Sequence, residues 1–164
     1  MIPPWKVVAN LSTSAVTGRY VGCRGGATSR NALANSSEAA ALCSGMPEKW
    51  FYAALAKWGG LSVAKSILVT LLALEVQKMA ASAGWRKQSP HIFETLAQIA
   101  VDEFLMPARP DGLPGRIKEQ EKAGRMAVTS NAWHRTWKQR YMPVAALLES
   151  WLSSADSYIR RRQH

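Results

Sequence analysis

Apolar residues recur along this chain at intervals of three and four from about residue 36 onward, and no stretch alternates for long with a period of two. That periodicity marks helices rather than strands. The expected fold class is therefore all-α: a helical bundle core, followed by a C-terminal helix-turn-helix and a long terminal helix. Ser36-Ser37-Glu38 opens a short alanine-rich helix that Gly45 ends. Pro47 is expected as the first residue of the next helix, PEKWFYAALAKWG, where Glu48 suits the positive end of the dipole. Trp50, Ala54 and Trp58 form its apolar stripe, flanked by Phe51 and Leu55, and Gly59-Gly60 stops it. Ser62 caps a helix to about Ala83 that is apolar over more than half its circumference, through residues such as Leu68, Leu72, Leu74 and Val76. A helix of that kind suits the centre of a bundle. Ser89-Pro90 opens HIFETLAQIAVDEFLM, with Phe93, Leu96, Ile99 and Phe104 on one broad face and His91 exposed near its start.

PARPDGLPG (107–115) cannot hold a helix and reads as a linker. Pro114 is expected to start the first helix of a helix-turn-helix spanning Arg116 to Tyr141. Ala123 packs inside that helix, Met126 and Val128 bracket a tight turn at Ala127, and Thr129 or Ser130 caps the second helix. Trp133 and Trp137, four apart, point inward. Ser130, Asn131, His134, Arg135 and Lys138 are left on the outer face, where a recognition helix meets base edges and phosphates. The turn position that is often Gly is Ala127, and the second inward contact falls on Trp137 rather than on Thr136. Pro143 either begins a final helix or kinks a long one. Val144, Leu147, Leu148, Trp151, Leu152, Ala155 and Ile159 trace its stripe before Arg160-Arg161-Arg162.

Charge sharpens this picture. The chain carries a formal net charge of +10, and the excess is uneven. Residues 1–35 hold four cations and no acid, residues 36–106 are balanced at six of each, and residues 116–164 hold ten basic and four acidic residues. Basic extremities around a neutral core suit a polyanion such as double-stranded DNA. Residues 1–35, rich in Gly, Ser, Thr and Asn without a lasting apolar period, read as a flexible basic arm. Within them GCRGGATSR lacks the Gly-Lys-Ser/Thr ending of a phosphate loop. The domains expected are thus an arm (1–35), a helical core (36–106), a linker (107–115) and the C-terminal unit (116–164).

Other chemistry is thinly represented. Cys23 and Cys43 lie in unmatched contexts and read as free thiols of a reducing cytoplasm. The five Cys and His residues show no zinc-site spacing, and Asp102 and Glu103 point to different helix faces, so neither a metal, a cofactor nor an enzyme activity is expected. The longest apolar stretch, ILVTLLAL, is far too short to span a bilayer, and no membrane association is expected.

Trp133-x-Arg135-Thr136-x-Lys138-x-x-Tyr141, followed by Pro143 and Leu147-Leu148, resembles the C-terminal helix-turn-helix of the lambdoid phage antitermination protein Q family, and Arg125-x-Ala127-Val128 fits the same pattern. FYAALAKWG and FETLAQIAVDEF resemble that family's N-terminal helices in order and spacing, so the resemblance touches roughly residues 38–164 and is best at 125–141. It implies a transcription regulator in the cytoplasm of a bacterial host that binds DNA and engages RNA polymerase, with or without a sigma factor, near a late promoter. The polymerase then reads through terminators. The family's four-cysteine zinc module has no counterpart here; PARPDGLPG stands in its place. On this reading Ser130, Asn131, His134 and Arg135 read base edges, and Arg125, Lys138 and Arg140 position phosphates. A repressor-like DNA-binding protein and a helical nucleic-acid-binding adaptor or assembly protein are the alternatives.

Overall fold

A computed structural model describes residues 2–16, 36–85 and 88–164, and every regular element among them is a helix. In chain order these are α1 (Pro4–Val16), α2 (Ser36–Cys43), α3 (Glu48–Gly59), α4 (Ser62–Ser82), α5 (Pro90–Leu105), α6 (Glu119–Arg125) and α7 (Ser130–Ala132). From α7 the helix continues through a π turn, Trp133–Trp137, into α8 (Lys138–Arg162). The all-α expectation holds. No described helix is long and apolar enough to cross a membrane.

Two compact units divide the chain: residues 1–64 with 151–164, and residues 65–150. The cuts fall inside α4 and α8, not at the Pro-rich stretch, whose two ends belong to the same unit.

In the first unit α1 packs on α2 and α3. This corrects the expected arm over residues 4–16, where Val7 and Val8 are fully buried; residues 17–35 lie outside the described residues. The correction alters α3 as well. Its buried residues are the consecutive Ala53, Ala54, Leu55 and Ala56, one turn enclosed on all sides, while Trp50, Phe51 and Trp58 are only half-buried. Small side chains let other backbones approach closely, and α1 is among the helices packed on α3. Gly60, at φ 67°, supplies the left-handed residue that ends α3. At the end of α8, Trp151, Ala155 and Ile159 are buried. The Ile2 amide donates to Gln163 Oε1 at 3.0 Å, and Gln163 Nε2 donates to the Ile2 carbonyl at 2.9 Å, fastening the two ends of the chain. Cys43 is a buried free thiol, and burial pushes it up to about 11.

The second unit buries Leu68, Leu72 and Val76 of α4 and Phe93, Leu96, Ile99, Val101 and Phe104 of α5. α4 is less enclosed than its composition suggests, since Leu74 is half exposed. α5 begins as expected: the Ser89 hydroxyl accepts the His91 N–H at 3.3 Å and Pro90 is the first helical residue. Residues 107–115 are not helical, yet they form more than a tether. The Arg109 N–H donates to the Leu113 carbonyl at 2.8 Å, Arg109 pairs with Asp111 at 2.8 Å, and Gly112 turns the chain at φ 78°. At Gly115 a Cβ would lie 2.5 Å from the Pro107 carbonyl oxygen, so glycine closes the loop upon itself. Helix α6 starts at Glu119, not at Pro114, because the Ile117 N–H is directed to the Glu103 carboxylate at 2.8 Å instead of into a helical turn.

Candidate nucleic-acid interface

Glu103, near the C-terminal end of α5, is the fixed point of this region. Lys122 of α6, only 3% exposed, reaches its Oε2 at 2.7 Å, and the Tyr141 hydroxyl donates to Oε1 at 2.9 Å. Burial raises the Glu103 carboxyl, but Lys122, the Ile117 N–H and Tyr141 together outweigh it and hold the group below the usual carboxylate range. Burial, then the Glu103 charge, push the Tyr141 hydroxyl well above the ordinary phenol range. Lys122 Nζ also lies 4.2 Å from the Tyr141 ring centroid. The buried lysine is thereby paired on both sides, as a charge out of water must be.

The adjacent Asp102 does the same for the outer side of α6. It accepts Lys65 at 2.7 Å and Arg125 at 2.7 Å, and Gln98 Nε2 at 2.9 Å. Burial raises its carboxyl too, and these three partners bring it below its ordinary value. Two neighbouring acids on different faces of α5, passed over as catalytic residues in the sequence, thus hold α6 from two directions.

The chain leaves α6 through Met126, and Ala127 adopts φ 52°, the left-handed region that disfavours a Cβ. Two bonds close the turn, from the Ala127 N–H to the Gly124 carbonyl and from the Val128 N–H to the Ala123 carbonyl, both at 3.0 Å. Thr129 is the N-cap, its hydroxyl accepting the Ala132 N–H at 3.2 Å. Trp133 is fully buried and Trp137 nearly so. The Trp133 indole N–H donates to Glu119, and its ring lies 5.8 Å from that of Tyr141. The π turn accounts for the displaced second tryptophan. Buried positions 133, 137 and 141 follow at intervals of four, which drift around an α-helix. The wider turn, closed by the Lys138 N–H on the Trp133 carbonyl, takes up the drift.

Of the expected contact residues, Ser130, Asn131, His134 and Arg135 are exposed together on the start of this helix. Lys138 is half-buried, with Nζ 3.9 Å from Glu119. Arg125 and Arg140 sit differently from what phosphate positioning requires. Arg125 is held by Asp102 at 2.7 Å and by Glu121 at 2.6 Å. Arg140 turns inward: its guanidinium carbon lies 4.6 Å from the Trp85 ring centroid and 5.0 Å from that of Trp137. Trp85 follows α4 and meets Trp137 edge to face at 6.5 Å. Beside them a concavity of about 700 Å³ is lined by Met79, Ser82, Ala83, Trp85, Arg135, Thr136, Gln139, Arg140 and Pro143. Pro143 lies within α8 and has no N–H to offer the Gln139 carbonyl one turn back.

Glu103, Lys122 and Trp85 were not singled out as functional residues in the sequence. A lysine near the middle of a short charged helix ordinarily faces water, and only the apolar residue Ala123 beside it hinted at an inward face. Among the described residues no group of three or more Cys, His, Asp or Glu could hold a metal ion. No family matches the chain, no curated protein matches its sequence, and no solved structure matches its fold.

Proposed function

We propose that the chain is a DNA-binding transcription regulator in which α6, the turn at Ala127 and the helix from Ser130 act as a helix-turn-helix on double-stranded DNA. The observation that carries this reading is the division of the helix start. Trp133 and Trp137 are buried and braced, while Ser130, Asn131, His134 and Arg135 are exposed side by side, and Arg135 has no ion-pair partner among the described residues. A rigid helix carrying a short polar row with one free guanidinium is what direct readout in a major groove uses. In this reading Asn131 and Arg135 contact base edges, Ser130 and His134 flank them, and Lys138 meets the phosphates. Arg125, already neutralised by two carboxylates, orients α6.

The narrower reading is a phage late-gene antitermination factor that engages RNA polymerase. It rests on the resemblance at 125–141. The test has two stages. Selection from randomised duplexes should yield a preferred site, and Arg135→Ala should abolish the preference at an unchanged melting temperature. A run-off assay across a terminator placed downstream of that site should then show read-through only with the protein present. Equal affinity for selected and scrambled duplexes would exclude the regulator, and a preferred site without read-through would exclude antitermination alone.

A further inference from the structure

The geometry points to a second nucleic-acid site, which shares Arg135 with the duplex reading but not its other contacts: the concavity beside Arg135 takes one unpaired nucleotide, its base on the Arg140 guanidinium and its phosphate on Arg135. Arg140 is the prepared element. Its guanidinium carbon lies over the rings of both Trp85 and Trp137, at 4.6 and 5.0 Å from their centroids, so its place is fixed by two indoles that themselves pack edge to face. A guanidinium backed by an aromatic ring presents its other side as a polar plane, the kind of surface on which unstacked bases rest.

The remaining lining agrees with a base more than with a bare anion. Met79 and Pro143 bring apolar surface, which a phosphate does not need and a planar base covers well. Gln139, exposed on the rim, carries a donor and an acceptor on one amide, the complement of a base edge. Charge sets the sign of the ligand. Two arginines line the concavity and no carboxylate does, and among the described residues neither arginine has an ion-pair partner. An acidic peptide would satisfy the charge but leave the stacking plane empty, and a duplex keeps its bases inside its own stack. Single-stranded DNA and single-stranded RNA share the chemistry required, so both belong in the test.

The full chain is titrated into short fluorescein-labelled oligothymidylate and oligouridylate, read by anisotropy. At least one is expected to bind, and the stronger identifies the source. Gln139→Glu sets a carboxylate at the exposed rim between the arginines and is expected to weaken binding about tenfold or more at an unchanged Tm. Arg140→Gln, which removes the stacking plane, is expected to weaken binding to the same extent. Asn131→Ala lies outside the concavity; it should leave oligonucleotide binding intact while impairing preference among duplexes, so failure of the two readings would show separately. Three results would overturn the site: no binding of either oligonucleotide, wild-type affinity retained in both Gln139→Glu and Arg140→Gln, or a polyglutamate peptide bound as tightly and released by the same substitutions.

Discussion

Glu103 gathers a lysine, a backbone amide and a tyrosine from three separate stretches of chain, and its loss leaves more than one group unsatisfied. In Glu103→Gln the Lys122 ammonium, only 3% exposed, loses its counter-charge. Removing one member of a buried pair costs about 3–5 kcal/mol, so urea unfolding at neutral pH should show a loss of that order. The same carboxylate, with Asp102, sets the acid limb of stability. Both are held below their unfolded values, so their contribution is present above the ordinary carboxylate range and lost as pH falls through the depressed folded values. Stability of Glu103→Gln should therefore fall less steeply with acid than that of the wild type. Nearby, Trp133→Ala should cost about 3–5 kcal/mol, and Arg135→Ala under about 0.5, because one side chain is fully buried and the other exposed. That contrast was legible in the sequence, since tryptophans four apart share a helix face. The Glu103–Lys122 pair was not, because its partners lie on different helices and the sequence carries no trace of their approach.

Among the elements, the tight turn and the Pro-rich loop each depend on one small residue, with opposite expectations. Ala127 sits at φ 52° with a Cβ it does not need. Ala127→Gly should relieve roughly 1 kcal/mol of backbone strain and raise the Tm; a fall in Tm of several degrees would contradict the assigned geometry. Gly115 is the reverse case. An added Cβ would press on the Pro107 carbonyl oxygen and on Met106, so Gly115→Ala should destabilise by about 1–3 kcal/mol in the same measurement. The turn at Ala127 could be read from Met126, Val128 and Thr129, as could the cap and the two inward tryptophans. The closed loop could not, because three prolines and two glycines say only where a helix stops. The π turn was visible solely as a tryptophan one position late.

At the scale of the molecule, the largest departure from expectation is the N-terminal segment. Its polar, glycine-rich continuation hid a helix whose Val7 and Val8 are fully buried and which packs on α2 and α3. Deleting residues 1–16 should remove that packing and lower the Tm by about 5 °C or more, whereas an arm that buried nothing would leave it unchanged. The net charge of the chain was equally legible and equally incomplete. Arg125, Lys122 and Arg160 are engaged by carboxylates, and Arg162 by the carbonyls of Ala41 and Ser44. Arg116, Lys118 and Arg135 face solvent without an ion-pair partner among the described residues. A cation already matched by an acid displaces no condensed counterion when it nears a phosphate. In the duplex binding proposed above, the sodium or potassium released would therefore report how many charges the fold has left unmatched, not how many the chain contains. Arg125→Gln and Arg160→Gln should leave the slope of log affinity against log salt where it is. Lys138→Gln, the proposed phosphate contact, whose approach to Glu119 is a long 3.9 Å, should shallow it by about 0.9.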